Sequence, residues 1–356
     1  MSTRVQRLRA CLLLTLATTA VKAATTCVST VAGLHNALAV AQSNGEDDHI
    51  LIATGTYAPS TGSTAFEYQA TENHSLRLSG GYELAGGNCL LSTLDSALTV
   101  LSGGGVRPVL RLDGAAGTHG DIIIERLTIR SGRSIWSGGG GSIGTNAGYS
   151  GNLIIDHVIV RNNDAEYYGG GLSVGSSGTV HISNSLFLAN RAGFGHVALS
   201  LTLNTPDSAL NFVVGNTLVA NACLPDSNCE FTFRVGGADD PEVVFANNAF
   251  AFNTSGDDLR IDGPLGLFLY HNNFVGLSSN VEPEAQVGNL ALTNPEFVDP
   301  FAGDYRLSPD SPLRDAGHTP FVLGRRDLDG LPRVSGSAVD IGAYESQDEL
   351  FGDGFE

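Results

Sequence analysis

The chain has 356 residues, a formal net charge of −18 and a single lysine, Lys22. A surface this acidic repels phosphate backbones, so the composition argues against nucleic acid as a partner and leaves cationic ligands, Ca²⁺ and neutral glycans open. Glycine reaches 45 residues while charged residues make up only 16%, a mixture that points to short strands closed by turns rather than to amphipathic helices.

The chain begins with Arg4, Arg7 and Arg9, an apolar stretch over residues 11–21, and the small-x-small arrangement Val21-Lys22-Ala23. That pattern predicts a signal peptide over residues 1–23 cleaved after Ala23. The stretch is shorter than the about 20 apolar residues a spanning helix needs, so the cleaved chain is expected not to span a membrane. Losing Arg4, Arg7, Arg9 and Lys22 with the leader takes the net charge from −18 to −22. Cys11 leaves too, and Cys27, Cys89, Cys223 and Cys229 remain as an even set suited to an oxidising compartment. The short Leu-Pro-Asp-Ser-Asn loop between Cys223 and Cys229 favours that local disulfide, leaving Cys27 with Cys89. Zinc is the competing reading, but no CxxC or nearby histidine pattern accompanies the cysteines. Next, Ser29 or Thr30 is placed to cap a helix whose Val31, Leu34, Leu38 and Ala41 share a face, ending near Asn44-Gly45.

From the middle of the chain onward the sequence repeats. Residues 124–132, 155–163, 182–190, 213–221, 245–253 and 269–277 stack without gaps, their starts 31, 27, 31, 32 and 24 residues apart. This spacing predicts one solenoid turn per copy, with loops absorbing the differences, and hence an all-β, right-handed parallel β-helix with an N-terminal capping helix. The first column (Ile124, Ile155, Ile182, Val213, Phe245, Leu269) and the sixth (Ile129, Val160, Phe187, Leu218, Phe250, Phe274) are expected inside. Between them Arg126, His157, Asn184, Gly215, Asn247 and His271 mark a bend of the kind that Asn and Gly tolerate through positive φ. Asn163, Asn190, Asn221 and Asn253 are expected to stack as a structural amide ladder. Earlier runs at residues 50–53, 76–78, 98–101 and 109–112 are expected to add further coils.

Phe187-Leu-Ala-Asn190 and Phe250-Ala-Phe-Asn253 match a Phe-x-x-Asn motif, and Gly169-Gly170-Gly171-Leu172 and residues 138–141 approximate a Gly-Gly-Ala-aliphatic motif. On these residues the region 100–280 resembles the pectin-lyase-like β-helix superfamily and, more closely, polymorphic outer membrane protein repeats. Further on, Asn294-Pro-Glu-Phe297, Gly303-Asp-Tyr-Arg-Leu307, Asp315-Ala-Gly317, Asp327-Leu-Asp-Gly330, Pro332-Arg333 and Asp340-Ile-Gly-Ala-Tyr-Glu345 occur in order. This series resembles the choice-of-anchor Q domain of bacterial surface or secreted β-helix proteins. The tail from Leu350 to Glu356 resembles short C-terminal tags on some Gram-negative secreted proteins. The organisation implied is a signal peptide (1–23), a β-helix with its cap (24–290), a choice-of-anchor Q-like region (291–346) and a tail (347–356). The implied location is secreted, periplasmic or on the outer surface of a Gram-negative bacterium.

The superfamily includes polysaccharide lyases and hydrolases, but the chain has neither the Asn-Thr-Asp and Gly-His-Gly motifs of polygalacturonase-like hydrolases nor the familiar pectate lyase motifs. No catalytic residue is assigned. The stack places Glu125 above Asp156 and Arg130 above Arg161, beside His157, and these five are expected to form an outward patch able to grip a glycan, with a surface ion-pair ladder as the plainer reading. Asp47-Asp48, Asp239-Asp240, Asp257-Asp258 and Asp327-Leu-Asp329-Gly330 leave Ca²⁺ open as a ligand, although none has EF-hand spacing. No metal-binding motif and no other cofactor is expected, and His181 and His196 are read as wall or turn residues. The expected function is a noncatalytic β-helix for surface display, adhesion or binding of an extracellular glycan or cell-surface component. A polysaccharide lyase or glycoside hydrolase is the alternative.

Overall fold

The computed structural model describes residues 24–60, 62–206, 209–254, 256–291 and 294–347. The expected signal peptide and the tail beyond Gln347 lie outside them. Strands wind around a common axis, each pairing in parallel with its counterpart in the coils before and after. One sheet of 16 strands passes from Ala24–Val28 through Asp48–Ala53, Leu76–Ala85, Ile122–Arg130, Leu153–Arg161, Val180–Ser183, Leu210–Val214 and Glu242–Ala246 to Gly266–Tyr270 and Ala285–Val287. A second, of 10 strands, passes from Phe66–Ala70 to Leu277–Ser279. The fold is a parallel β-helix.

The interior is built from columns of identical role. Ile124, Ile155, Ile182, Val213, Phe245 and Leu269 are successive Cα partners and share one continuous apolar core. Ile129, Val160, Phe187, Leu218 and Phe250 form the second column. Both reach further toward the N-terminus: Ile50 and Leu78 precede Ile124, and Tyr57 and Leu101 precede Ile129. The early runs are therefore walls of further coils, as expected. Leu78 and Leu101 belong to one coil, interrupted by an antiparallel excursion in which Leu76–Ala85 pairs with Asn88–Ser92.

Two bends shape each coil. Arg126, His157, Asn184, Gly215, Asn247 and His271 all have φ between 47° and 66°. Ser131, Asn162, Ala189, Ala220 and Phe252 form a second left-handed column, with φ between 50° and 55°. For alanine or phenylalanine this conformation costs roughly 1–2 kcal/mol, which hydrogen bonds of the neighbouring asparagines offset. Directly after that bend, Asn163, Asn190 and Asn221 each donate from Nδ2 to the Oδ1 of the next asparagine at 3.0–3.1 Å, ending on Asn253. Their second Nδ2 protons reach carbonyls one coil below, at Ile129, Val160 and Phe187. A second ladder of the same kind follows the first bend through Asn216, Asn248, Asn272 and Asn289.

The N-terminal helix is Val31–Ala41, with the Thr30 hydroxyl accepting from the Gly33 N–H at 3.0 Å. Leu34, Leu38 and Ala41 join the core beside the first strand. Cys27 is bonded to Cys89, and Cys223 to Cys229. The first bond ties the strand ahead of the helix to the antiparallel excursion. Residues 294–347 add no further parallel strand among the described residues; they carry an antiparallel pair, Phe297–Asp299 with Asp304–Leu307, and a 3-10 turn at Thr319–Phe321. Phe297, Leu307, Leu313, Leu328 and Ile341 from this segment pack on Leu186, Val219, Ala249 and Ala251, which point out of the barrel.

Phe187 is fully buried between Val160 and Leu218. We expect Phe187→Ala to cost about 3–5 kcal/mol in urea denaturation; a loss below about 1 kcal/mol would show that the column does not bear the packing described.

Candidate functional site

The five residues that the sequence grouped as an outward patch do not form one. They project away from the barrel interior, but the period of a strand reports only which face a side chain takes, not whether something covers it. Glu125 is 5% exposed. Its carboxylate accepts from Arg77 Nη2 at 2.8 Å on both oxygens, from Ser79 Oγ at 2.7 Å and from Arg126 Nη1 at 3.0 Å. Asp156 faces His157 Nδ1 at 2.7 Å through one oxygen and accepts from Ser183 Oγ and Asn184 Nδ2 through the other. Arg130 and Arg161 lie beyond the bend and make no ion pair with either acid. The acids are thus spent on their own neighbours, and the arginines stand apart.

Glu125 is closed off by Arg77 and Arg126, whereas from His157 onward the C-terminal segment docks on the first bend. His157 Nε2 lies 3.0 Å from the Arg326 carbonyl. Asn184 Nδ2 donates to Leu323 O at 2.8 Å, Asn247 donates to His318 O and Phe321 O while accepting from the His318 N–H, and His271 Nδ1 is 2.7 Å from Ala316 O. Rising coils meet falling residue numbers, so the segment runs back along the barrel. Beneath it the motif acids are likewise committed. Arg333 is fully buried against Glu345 and Asn184, Asp327 accepts from Leu331 and Glu345 N–H groups, and Asp340 accepts from those of Asp315 and Ser346.

Two arrangements invite a catalytic reading. His49 Nε2 is 2.8 Å from Ser79 Oγ, and that hydroxyl also donates to Glu125. In an activated serine the acid orients the far nitrogen of the histidine; here it sits on the serine, which is wholly buried. A polar groove of about 330 Å³ is lined by Glu67, Gln69, Arg111, Asp113 and Asn146 among others. Burial raises the Asp113 carboxyl above its ordinary value, against hydrogen bonds from Asn146, Gly114 and Thr145, while Glu67 lies 3.9 Å from Arg111. Among the described residues no three His, Cys, Asp or Glu side chains converge as a metal site. Of the acidic doublets, Asp47 accepts from the Ser75 N–H and Asp48 from Asn44 Nδ2, Asp239 and Asp240 form a left-handed turn, and Asp258 accepts from Thr232, Asn253 and Val275.

The most conspicuous surface feature escaped the sequence reading. Trp136, Tyr167 and Phe194 lie in register on consecutive coils, joined by bonds from Tyr167 N–H to Trp136 O and from Phe194 N–H to Tyr167 O. Their ring centroids are 5.6 Å apart at each step, yet Trp136 is 64% and Phe194 54% exposed. Tyr168 flanks the row and packs on His196 at 4.7 Å. Burial, with the charge of Arg234, pushes His196 down to about 3, so that ring is neutral. Arg191 grips Asp164 through two hydrogen bonds, and Arg133 faces Glu166, on the strands leading into the row. The Cys223–Cys229 loop bounds the row on the next coil, where Asn228 follows Phe194. The signal available in the sequence was an aromatic residue just ahead of a left-handed glycine (Gly138, Gly169) in successive coils.

Of the two histidines read as wall or turn residues, His181 packs edge-on to Phe212 and is half-buried, and His196 is the ring beneath Tyr168.

No protein-family model and no curated protein matches the chain. Among solved structures, pectate lyase Pel9A is similar at 14% identity over 86% of this chain and 90% of that chain, with a TM-score of 0.36. A similarity that low carries no argument, and the β-helix assignment rests on the strand registers themselves.

The docking of His157 generates a pH dependence. Burial pushes its imidazole down, but the hydrogen bond and charge of Asp156, with the Arg326 carbonyl, outweigh this and raise its pKa above 6.5. The stability it supplies is therefore complete below the ordinary histidine value and lost as pH rises through the raised one. We expect His157→Asn, which suits the left-handed bend, to destabilise more at about pH 5.5 than at about pH 9. Equal losses at both, read by urea denaturation, would show that the docked ring is neutral.

Proposed function

We propose that this chain is a secreted or cell-surface β-helix that binds an extracellular glycan without cleaving it. The observation that carries the reading is the exposed aromatic row of Trp136, Tyr167, Tyr168 and Phe194. A solvent-facing cluster of large aromatics is unusual on a soluble surface and marks a contact site. Such rings offer apolar, rigid area to the C–H faces of sugars, and the Arg191–Asp164 and Arg133–Glu166 pairs provide hydrogen-bonding groups beside them. The absence of lysine after the predicted leader, and a charge of −22, favour a ligand that is not a dense polyanion. Two disulfides fit an oxidising compartment, and no described helix is long and apolar enough to cross a membrane. The resemblances of the repeats to polymorphic outer membrane protein units and of residues 291–346 to a choice-of-anchor Q domain favour a bacterial surface or periplasmic setting.

The alternative, a carbohydrate-active enzyme, draws on the groove around Glu67 and Asp113. Glycoside hydrolysis needs two carboxylates with separate duties, and here one faces an arginine while the other is held by its own turn.

A polysaccharide panel scored for binding, reducing ends and unsaturated products separates the two. We expect binding without products, weakened about tenfold or more by Trp136→Ala, as for an anchor worth above about 1.4 kcal/mol. Because His196 stays neutral, the binding is expected to be flat from about pH 5 to about pH 8. Product formation abolished by Asp113→Asn would establish the enzyme instead, and unchanged binding in Trp136→Ala would remove the row as the site.

A further inference from the structure

We propose that Arg130 and Arg161 form a binding site for a single tetrahedral oxyanion, a sulfate or phosphate ester group on an otherwise weakly charged molecule. The two are Cα partners at the ends of Ile122–Arg130 and Leu153–Arg161, which sets them about 4.8 Å apart across a parallel ladder. Neither guanidinium has a hydrogen-bond or ion-pair partner among the described residues, and the Nε of each is buried and unsatisfied. By contrast Arg77, Arg126, Arg133, Arg191, Arg234 and Arg260 each reach an acid. In a chain with so large an excess of carboxylates, two adjacent guanidiniums left without one cost stability through mutual repulsion and desolvation.

Their neighbours explain the isolation. In the same column Ser102 lies below Arg130 and Leu188 above Arg161, and Leu188 packs into the apolar layer under the C-terminal segment. Both side chains are half-buried, and of their nitrogens only Nε is closed off unsatisfied, so the terminal amino groups remain for a ligand. A carboxylate shared by two arginines gives each fork a single oxygen, as Asp262 does between Arg234 and Arg260. A tetrahedral oxyanion presents several edges and can engage two forks at once.

The proposal is independent of the aromatic row, because its probe is inorganic sulfate. Titration with sodium sulfate against sodium chloride at matched ionic strength, read by calorimetry and melting temperature, is expected to give saturable, sulfate-specific binding. Arg130→Gln and Arg161→Gln should each weaken it at least tenfold while leaving the melting temperature without sulfate unchanged or higher. If either glutamine variant loses its β-sheet circular dichroism, Arg161→Lys keeps the charge but not the fork and should show the same tenfold weakening. Glucose 6-sulfate and glucose 6-phosphate, compared with glucuronate, identify the source: tighter binding of either ester than of glucuronate supports the site. Equal responses to sulfate and chloride, wild-type sulfate binding in the variants, or glucuronate binding as tightly as the esters would overturn it.

Discussion

The left-handed bend that recurs once per coil at Arg126, His157, Asn184, Gly215, Asn247 and His271 is the constraint on which the rest depends. It turns the strand so that the residues two before and three after it both face inward, making the two core columns. It also throws the bend side chain outward at the same height in every coil. From His157 to His271 that row becomes the rail on which the C-terminal segment docks, Asn247 accepting a segment N–H and both Asn184 and Asn247 donating to its carbonyls. Core, turn and cover are consequences of one backbone conformation, held in register by the two asparagine ladders.

Much of this was legible because the columns keep a strict chemical identity. Ile124 through Leu269 never carries a polar residue, so the alignment could not slip without burying charge. The second bend was not legible, since Ala189, Ala220 and Phe252 bear no mark of positive φ; only the ladder after them makes the conformation tolerable. The second ladder was present in the same alignment, in the column of Asn216, Asn248 and Asn272, but its first two members are Leu127 and Val158, which hid it. The early runs do add coils, but their register was hidden because the excursion carrying Cys89 separates Leu78 from its own coil-mate Leu101.

The candidate site was less legible for a different reason. Periodicity correctly sends Glu125, Asp156 and His157 out of the barrel, but His157 is capped from a segment 169 positions later and Glu125 by Arg77 of the preceding coil, and neither cover leaves a local trace. Exposure, unlike facing, is a tertiary property. The aromatic row had the opposite difficulty: Trp136, Tyr167 and Phe194 each lie four residues past the end of a repeat, just outside the nine-residue alignment. The two outer surfaces have consequently exchanged roles, the acidic one serving as an internal joint and the loop side carrying the free rings.

The return path of residues 316–326 has a kinetic side. Its hydrogen bonds join groups 45 to 169 positions apart in sequence, whereas each coil closes on a neighbour about thirty residues away. Contacts between sequence-near coils form first, and long closures follow only once their far ends are in place. A chain emerging from its N-terminus can therefore stack coil upon coil before residues 316–326 fasten across coils made much earlier. The clasp forms only on a barrel whose bends are already aligned, so a misregistered stack is left with its outer apolar residues, Leu186, Val219 and Ala251, bare to quality control.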